Sequence, residues 1–174
     1  MRQTGHAMSD GGSAVKCELA ADVLRSFGTL RFPASGWSML PAIWPGDTLV
    51  VERVSADRVC IGDVVVIGRD GRLCGHRVIS IVEDRGDQRL ITQGDALPVP
   101  DRPVRESELL GRVAYLIRSG KLIAVPAELS VVERLTAKIV RRSVPAARAL
   151  VYLHRVVQTS KKSAPEKSVL PCQG

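Results

Sequence analysis

The sequence predicts a mainly β fold with a short N-terminal helix and a basic, helical C-terminal extension. Apolar residues make up 45 % of the 174 residues, enough for one domain with a hydrophobic core. Aromatic residues account for only 3 %, so this core must be built mainly from Val, Leu, Ile and Ala. In the first two thirds of the chain, many Val and Ile residues lie in short runs between Gly, Asp and Arg, a pattern that favours strands.

Local patterns place the individual elements. Residues 1–13 are expected to be a disordered lead, and residues 17–27 have the apolar spacing of a helix that Gly28 would end. Four strands are predicted next, at residues 47–54, 63–68, 73–82 and 89–93, separated by turns rich in Gly, Asp and Pro. The Asp70-Gly71 pair predicts one hairpin, and residues 111–117 and 121–125 predict another around Ser119-Gly120.

A change of composition at Pro126 divides the chain. We expect a lead and helix at 1–28, a β-rich domain at 29–126, a basic amphipathic extension at 127–157 and a flexible tail at 158–174. Helical periodicity begins at Ser130; Pro145 should interrupt it, and a second stretch should continue to Val157. The spacing places Val132, Leu135, Ile139 and Val140 on one face and Arg134, Lys138, Arg141 and Arg142 on the other.

The net charge of +7 lies in the last third of the chain. Residues 1–117 have a balance of −1 and residues 118–174 a balance of +8. Two arrangements of segment 130–157 remain open: its apolar face packs on the β domain, or it lies in a membrane interface while Arg141, Arg142, Arg148 and Arg155 meet anionic headgroups. Nucleic acid is a less suitable partner, because Tyr152 is the only aromatic residue of the extension.

The N-terminal sequence is polar and lacks the apolar stretch of a secretory signal. No window of about 18 residues is free of charge, so we predict no transmembrane helix. These two features lead us to expect a protein of the cytoplasm or one bound peripherally at a membrane surface.

The segment SGWSMLPAIWPGD, residues 35–47, is the most informative for chemistry. A serine on a turn flanked by glycine and ended by proline can present its hydroxyl, with backbone N–H groups nearby to bind an oxyanion. Ser38 occupies this position, and the apolar Met39 could anchor the turn in the core.

Further boxes follow in order: GDVVV at 62–66, GHRVI at 75–79, ITQGD at 91–95 with Asp101 shortly after, and LGRV at 110–113. Together with the Ser38 segment they resemble the signal peptidases and the self-cleaving SOS repressors, over about residues 32–117. The resemblance implies a compact, β-barrel-like catalytic fold. It also implies a serine endopeptidase that binds extended polypeptide and cleaves it after small residues, without a metal or an organic cofactor.

The same resemblance implies the site residues. Ser38 would be the nucleophile and His76 the general base, where bacterial leader peptidases have a lysine; this is similar to the endoplasmic-reticulum and archaeal branch. Histidine suits the role because its ordinary pKa of about 6.5 lies near working pH. Asp101 matches the position that orients the histidine, and Asp95 is the competing candidate. Arg77 is expected to be structural.

Many leader peptidases have a serine two positions before the nucleophile that supplies a hydroxyl to the oxyanion. Here Gly36 stands at that position, so the oxyanion hole would rely on the Ser38 N–H and another donor, such as Ser35. Trp37 and Met39 flank the nucleophile and are expected to help position the substrate.

Simpler interpretations stay open. Ser38 could be an ordinary turn serine, His76 a structural histidine, and Asp101 a solvated residue paired with Arg102. Other classes of function are a non-catalytic binding module of the same fold, a peptidase dedicated to one partner, and a self-cleaving regulator. The self-cleaving regulator would need a DNA-binding domain, for which the residues before the Ser38 segment are too few.

Overall fold

The computed structural model describes residues 10–84, 86–142 and 151–152. The first nine residues, Pro145, most of the second helical stretch and the tail at 158–174 lie outside the described residues. Helix α1 spans Asp10–Phe27 and so begins within the segment expected to be a disordered lead. Gly28 ends the helix as predicted: its φ is +73°, and its N–H donates to the Leu24 carbonyl oxygen at 3.0 Å.

The mainly β prediction is confirmed. The strands are β1 Thr29–Pro33, β2 Thr48–Glu52, β3 Val64–Arg69, β4 Arg72–Asp84, β5 Asp87–Gln93, β6 Leu109–Arg118 and β7 Lys121–Ile123. Both predicted hairpins are present, β3–β4 and β6–β7. Their turns are Asp70-Gly71 and Ser119-Gly120, and each of these residues has a positive φ, as tight hairpin turns require.

The strands form one antiparallel sheet in the order β1-β2-β6-β3-β4-β5, with β7 beside β6. The expectation of a barrel is wrong, because no described pairing joins β1 to β5 and the sheet stays open. The outer edge of β5 is instead covered by the segment that follows it. Leu90 pairs there with Val104, and the Asp101 N–H donates to the Thr92 carbonyl oxygen at 2.8 Å.

The core lies on both faces of the sheet. Residues 64–67 of β3, the strand between β6 and β4, are buried throughout, as expected of a strand covered on each side. Val64 and Val66 pack with Met39 in one cluster, which Leu24 of α1 also joins. Val65 and Ile67 belong to a second cluster on the opposite face.

Helix α2 spans Val131–Arg142, and Ser130, directly before it, caps its N-terminus through a capping box with Glu133. The Ser130 N–H donates to the Glu133 carboxylate at 2.8 Å, and the Glu133 N–H donates to the Ser130 hydroxyl at 3.3 Å. The helix packs on the domain through Ala137 and Val140, which are 3 % and 2 % exposed. No helix in the described part of the chain is long and apolar enough to cross a membrane.

Candidate active site

The loop that carries Ser38 leaves β1 and returns at β2, and it is closed at its base. The Ala34 N–H donates to the Asp47 carbonyl oxygen and the Gly46 N–H donates to the Ala34 carbonyl oxygen, both at 2.8 Å. The buried Asp47 carboxylate accepts two hydrogen bonds from Arg118, at 2.8 and 2.6 Å. These backbone and side-chain hydrogen bonds fix both ends of the loop.

Hydrophobic packing then fixes the turn from within. Met39 and Leu40 directly follow the nucleophile candidate and are 5 % and 0 % exposed. Ser38 is half-buried, whereas Ser35, Gly36 and Trp37 are exposed. Anchoring two consecutive residues in the core leaves the Ser38 hydroxyl at the surface of the domain, where a substrate can reach it.

His76 lies on β4, opposite Val65 of β3, and is 8 % exposed. Its Nε2 is 3.2 Å from Ser38 Oγ, and its Nδ1 is 2.6 Å from Asp101 Oδ2. A carboxylate can only accept a hydrogen bond, so Nδ1 carries the proton in this arrangement and Nε2 is left to accept one from the serine. The structure thus brings the three predicted residues into one hydrogen-bonded chain.

Thr92 of β5 orients the carboxylate. Its hydroxyl donates to Asp101 Oδ2 at 2.7 Å, and its carbonyl oxygen accepts the Asp101 N–H at 2.8 Å. Burial would raise the pKa of Asp101, but the hydrogen bonds from His76 and Thr92 outweigh burial, and the pKa lies below its ordinary value. Asp101 is therefore an anion at neutral pH.

Arg69, at the end of β3, holds the segment around Asp101 in place. It binds Glu108 through two hydrogen bonds of 2.7 Å and donates to the carbonyl oxygens of Arg102 and Pro103 at 3.2 and 3.1 Å. The Arg69 hydrogen bonds lower the pKa of Glu108 to about 2. Sequence reasoning missed Arg69, because nothing in the local pattern links it to a carboxylate 39 residues away.

The alternative partners proposed for these carboxylates are not found. Arg102 contacts Asp70 at 3.3 Å rather than Asp101. Asp95 binds Arg77 through two hydrogen bonds of 2.9 Å, and both side chains are buried. Asp101 is thus the carboxylate at His76, and Asp95 and Arg77 form the structural pair.

Arg77 also connects three parts of the backbone. Its Nη1 donates to the carbonyl oxygens of Gly62, Pro126 and Ala127 at 2.8, 2.6 and 3.2 Å. Since Arg77 is adjacent to His76 in β4, these hydrogen bonds hold β4 at His76 to the segment that leads into α2.

The Thr-x-Gly-Asp box also has a packing role. The Ala96 N–H donates to the Ser38 carbonyl oxygen at 2.8 Å. A Cβ atom on Gly94 would lie 2.7 Å from the same oxygen, which is closer than packing allows. Glycine at position 94 therefore lets the Ser38 turn approach the end of β5.

The turn at Ser38 offers a backbone donor for an oxyanion. Among the described residues, the backbone N–H of Ser38 has no hydrogen-bond acceptor, so it is free to bind a developing negative charge. The hydroxyl of Ser35, the other donor expected from the sequence, makes no hydrogen bond to Ser38, His76 or Asp101. Within the described ranges, no three His, Cys, Asp or Glu side chains are grouped so that they could hold a metal ion.

Comparison with known proteins gives no family assignment. No protein-family model matches the chain, and no curated protein matches it. The site itself consists of a serine, a histidine and a carboxylate that are linked in this order by hydrogen bonds, next to a backbone N–H that has no acceptor among the residues that the structure describes.

Proposed function

We propose that this chain is a serine endopeptidase of the signal-peptidase type, which cleaves an extended polypeptide after small residues. The observation that carries the proposal is the continuous Ser38–His76–Asp101 chain, with contacts of 3.2 and 2.6 Å. An ordinary turn serine needs neither a histidine at its hydroxyl nor an oriented carboxylate behind that histidine. A nucleophile activated by a base does need both.

The geometry supports a two-step reaction. His76 Nε2 takes the proton of the Ser38 hydroxyl as Oγ bonds to the scissile carbonyl carbon, and the Ser38 N–H binds the oxyanion. His76 then gives this proton to the leaving amine as the C–N bond breaks, which leaves an acyl-enzyme. Water attacks the ester, His76 takes its proton and returns it to Ser38, and the carboxylate product departs. Asp101 stabilises the imidazolium in both steps.

The sheet supports an extended substrate. The outer edge of β5 is covered by residues 101–104, whereas β1 lies at the opposite end of the strand order and runs directly into the Ser38 loop. A polypeptide added along β1 would be guided toward the nucleophile by main-chain hydrogen bonds. Trp37, 40 % exposed beside Ser38, supplies an apolar surface for the residues near the cut.

The test combines a substrate-independent probe with a peptide library. Purified chain is treated with a fluorophosphonate, which phosphonylates activated serines as fluoride leaves, and is separately incubated with a diverse peptide mixture that is read by mass spectrometry. We expect labelling at Ser38 and cuts after small residues. Both should fall by about 10³-fold or more in Ser38→Ala and His76→Ala and persist in Ser107→Ala, a matched change of an exposed serine far along the chain.

Absence of Ser38-dependent labelling and cleavage would reject the peptidase and leave a binding module of the same fold. Intact-mass measurement of the stored chain separates a third case. Spontaneous cleavage of the chain itself, abolished in Ser38→Ala, would indicate a self-cleaving regulator instead of an enzyme that acts on other chains.

A further inference from the structure

Helix α2 exposes a stripe of large aliphatic side chains. Val131, Val132, Leu135 and Ile139 are 82 %, 73 %, 60 % and 55 % exposed, and we call these four residues the outer stripe. At about 100° per residue the four lie on one side of the helix, roughly opposite the side that carries Ala137 and Val140. The predicted apolar face is thus divided: Val140 packs on the domain and the outer stripe does not.

The contacts of α2 prevent the outer stripe from turning inward. Val140 belongs to a buried cluster with Leu40 and Ala96, next to the Ser38 loop. Arg141 Nε donates to the Asp95 carbonyl oxygen at 3.1 Å. Burying the outer stripe against the domain would require both contacts to break, so the stripe stays available to a partner from outside the described part of the domain.

The positive charge of α2 and of the residues after it favours an anionic partner. Residues 131–142 contain four basic residues and one acidic residue, and residues 143–174 contain five and one. A second copy of the helix, or the chain's own C-terminal residues, would therefore bring like charge to the stripe. Lys138 and Arg134 occupy one flank of the helix beside the stripe, and Arg134 forms an exposed ion pair with Glu128 at 3.2 Å. The complementary partner is therefore an anionic surface that also accepts aliphatic side chains.

We propose that the outer stripe binds the interface of an anionic lipid membrane, with α2 lying in the membrane plane. The four aliphatic side chains would enter the boundary between headgroups and acyl chains, and the flanking cations would meet lipid phosphates. A nucleic acid fits less well, because it would stack on aromatic side chains and the stripe has none. This binding requires no peptidase activity and is tested without it.

The experiment is co-sedimentation of the full chain with vesicles of phosphatidylcholine alone and with vesicles in which about a third is phosphatidylglycerol. We expect binding to the anionic vesicles that weakens as salt is added. Replacing both Leu135 and Ile139 with Gln should weaken it by more than about tenfold. Replacing Lys138, whose side chain makes no described contact, with Gln should weaken it by about fivefold.

Leu122→Gln is the matched control, since Leu122 is 70 % exposed on β7, outside the stripe. It should leave binding unchanged, and thermal melting checks that each variant is folded. Equal binding by the double variant and the parent chain would overturn the proposal, as would failure of the parent chain to bind anionic vesicles. A chain that is dimeric in solution, and that the double variant makes monomeric without any effect on vesicles, would assign the stripe to a second copy instead.

Discussion

Asp101→Asn is the substitution that tests the site with the least change of shape. In the parent chain, Asp101 Oδ2 accepts from His76 Nδ1 at 2.6 Å and from Thr92 Oγ1 at 2.7 Å. Asparagine keeps one oxygen but loses the charge, and its NH₂ group can donate to Nδ1. That hydrogen bond would favour the tautomer with a proton on Nε2, which cannot accept the proton of Ser38.

The magnitude follows from these contacts. A hydrogen bond to a charged group contributes about 1.5–3 kcal/mol, and the unfavourable tautomer adds to its loss. At 1.36 kcal/mol per factor of ten, the expected decrease in the rate at which Ser38 attacks an electrophile is about 10²- to 10⁴-fold. An effect of this size greatly exceeds the change expected from replacing an exposed loop carboxylate.

The assay is the second-order rate constant for phosphonylation of Ser38 by a fluorophosphonate, from neutral to alkaline pH. Because the pKa of Asp101 lies below its ordinary 3.8, the carboxylate is ionised throughout this range, so the deficit of Asp101→Asn should not vary with pH through titration of Asp101. The control is Asp70→Asn, a carboxylate on the β3–β4 turn that is 80 % exposed and should leave the rate unchanged. A decrease of less than about threefold for Asp101→Asn would refute the assigned role, since it is smaller than the loss of one charged hydrogen bond.

Three further substitutions test the supports of the site. In Gly94→Ala, the new Cβ would lie 2.7 Å from the Ser38 carbonyl oxygen, so the rate of Ser38 phosphonylation should fall about 10- to 100-fold; an unchanged rate would show that the turn shifts at no cost. Arg77→Met leaves the buried Asp95 carboxylate without its cation and should lower the free energy of unfolding in urea by about 3–5 kcal/mol, against a smaller loss for Arg77→Lys. Glu108→Gln removes the ion pair with Arg69, which holds the pKa of Glu108 at about 2 instead of its ordinary 4.5. The parent chain should therefore have a free energy of unfolding higher than that of the variant by up to about 3 kcal/mol above pH 4.5, and this difference should be lost as the pH falls through about 2. Urea titrations of both chains should therefore converge in acid, and a constant difference would contradict the ion pair as its source.

The strand content could be predicted because its signals are local. Runs such as residues 63–68 alternate with Gly and Asp turns, and Asp70-Gly71 adopts the positive φ values that those residue types tolerate. Strand ends are less local. β4 extends to Arg72 and Asp84 because those polar residues pair in register with Arg69 and Asp87, which side-chain pattern alone does not reveal.

The site was predictable only as far as its residue types were distinctive. The family resemblance implies Ser38, His76 and Asp101 as the site, with Asp95 as the competing carboxylate, and the hydrogen bonds of the two carboxylates distinguish them. Asp95 is unsuitable because its carboxylate is occupied by Arg77. A choice of this kind depends on which buried charges find each other in space.

Sheet closure and helix orientation are set by competition between distant surfaces. The barrel fails because the segment after β5 takes the edge to which β1 would have to bind. Periodicity grouped Val140 with Leu135 and Ile139, but it cannot say which part of a wide apolar face packs. Here the side that packs is the one that carries Ala137 and Val140, which are 3 % and 2 % exposed.

Packing also relates the basic helix to the proposed chemistry. Composition changes at Pro126, but contacts continue across this point: Leu40 of the Ser38 loop packs with Val140, and Asp95 accepts a hydrogen bond from Arg141. The side of α2 that packs on the domain thus lies against the Ser38 loop, while its outer stripe faces the opposite way. If both proposals hold, the loop is separated from the lipid surface by one helix diameter, about 10 Å. Extended chain covers about 3.3 Å per residue, so a membrane-bound substrate must offer about three or more residues between the lipid surface and the bond to be cut.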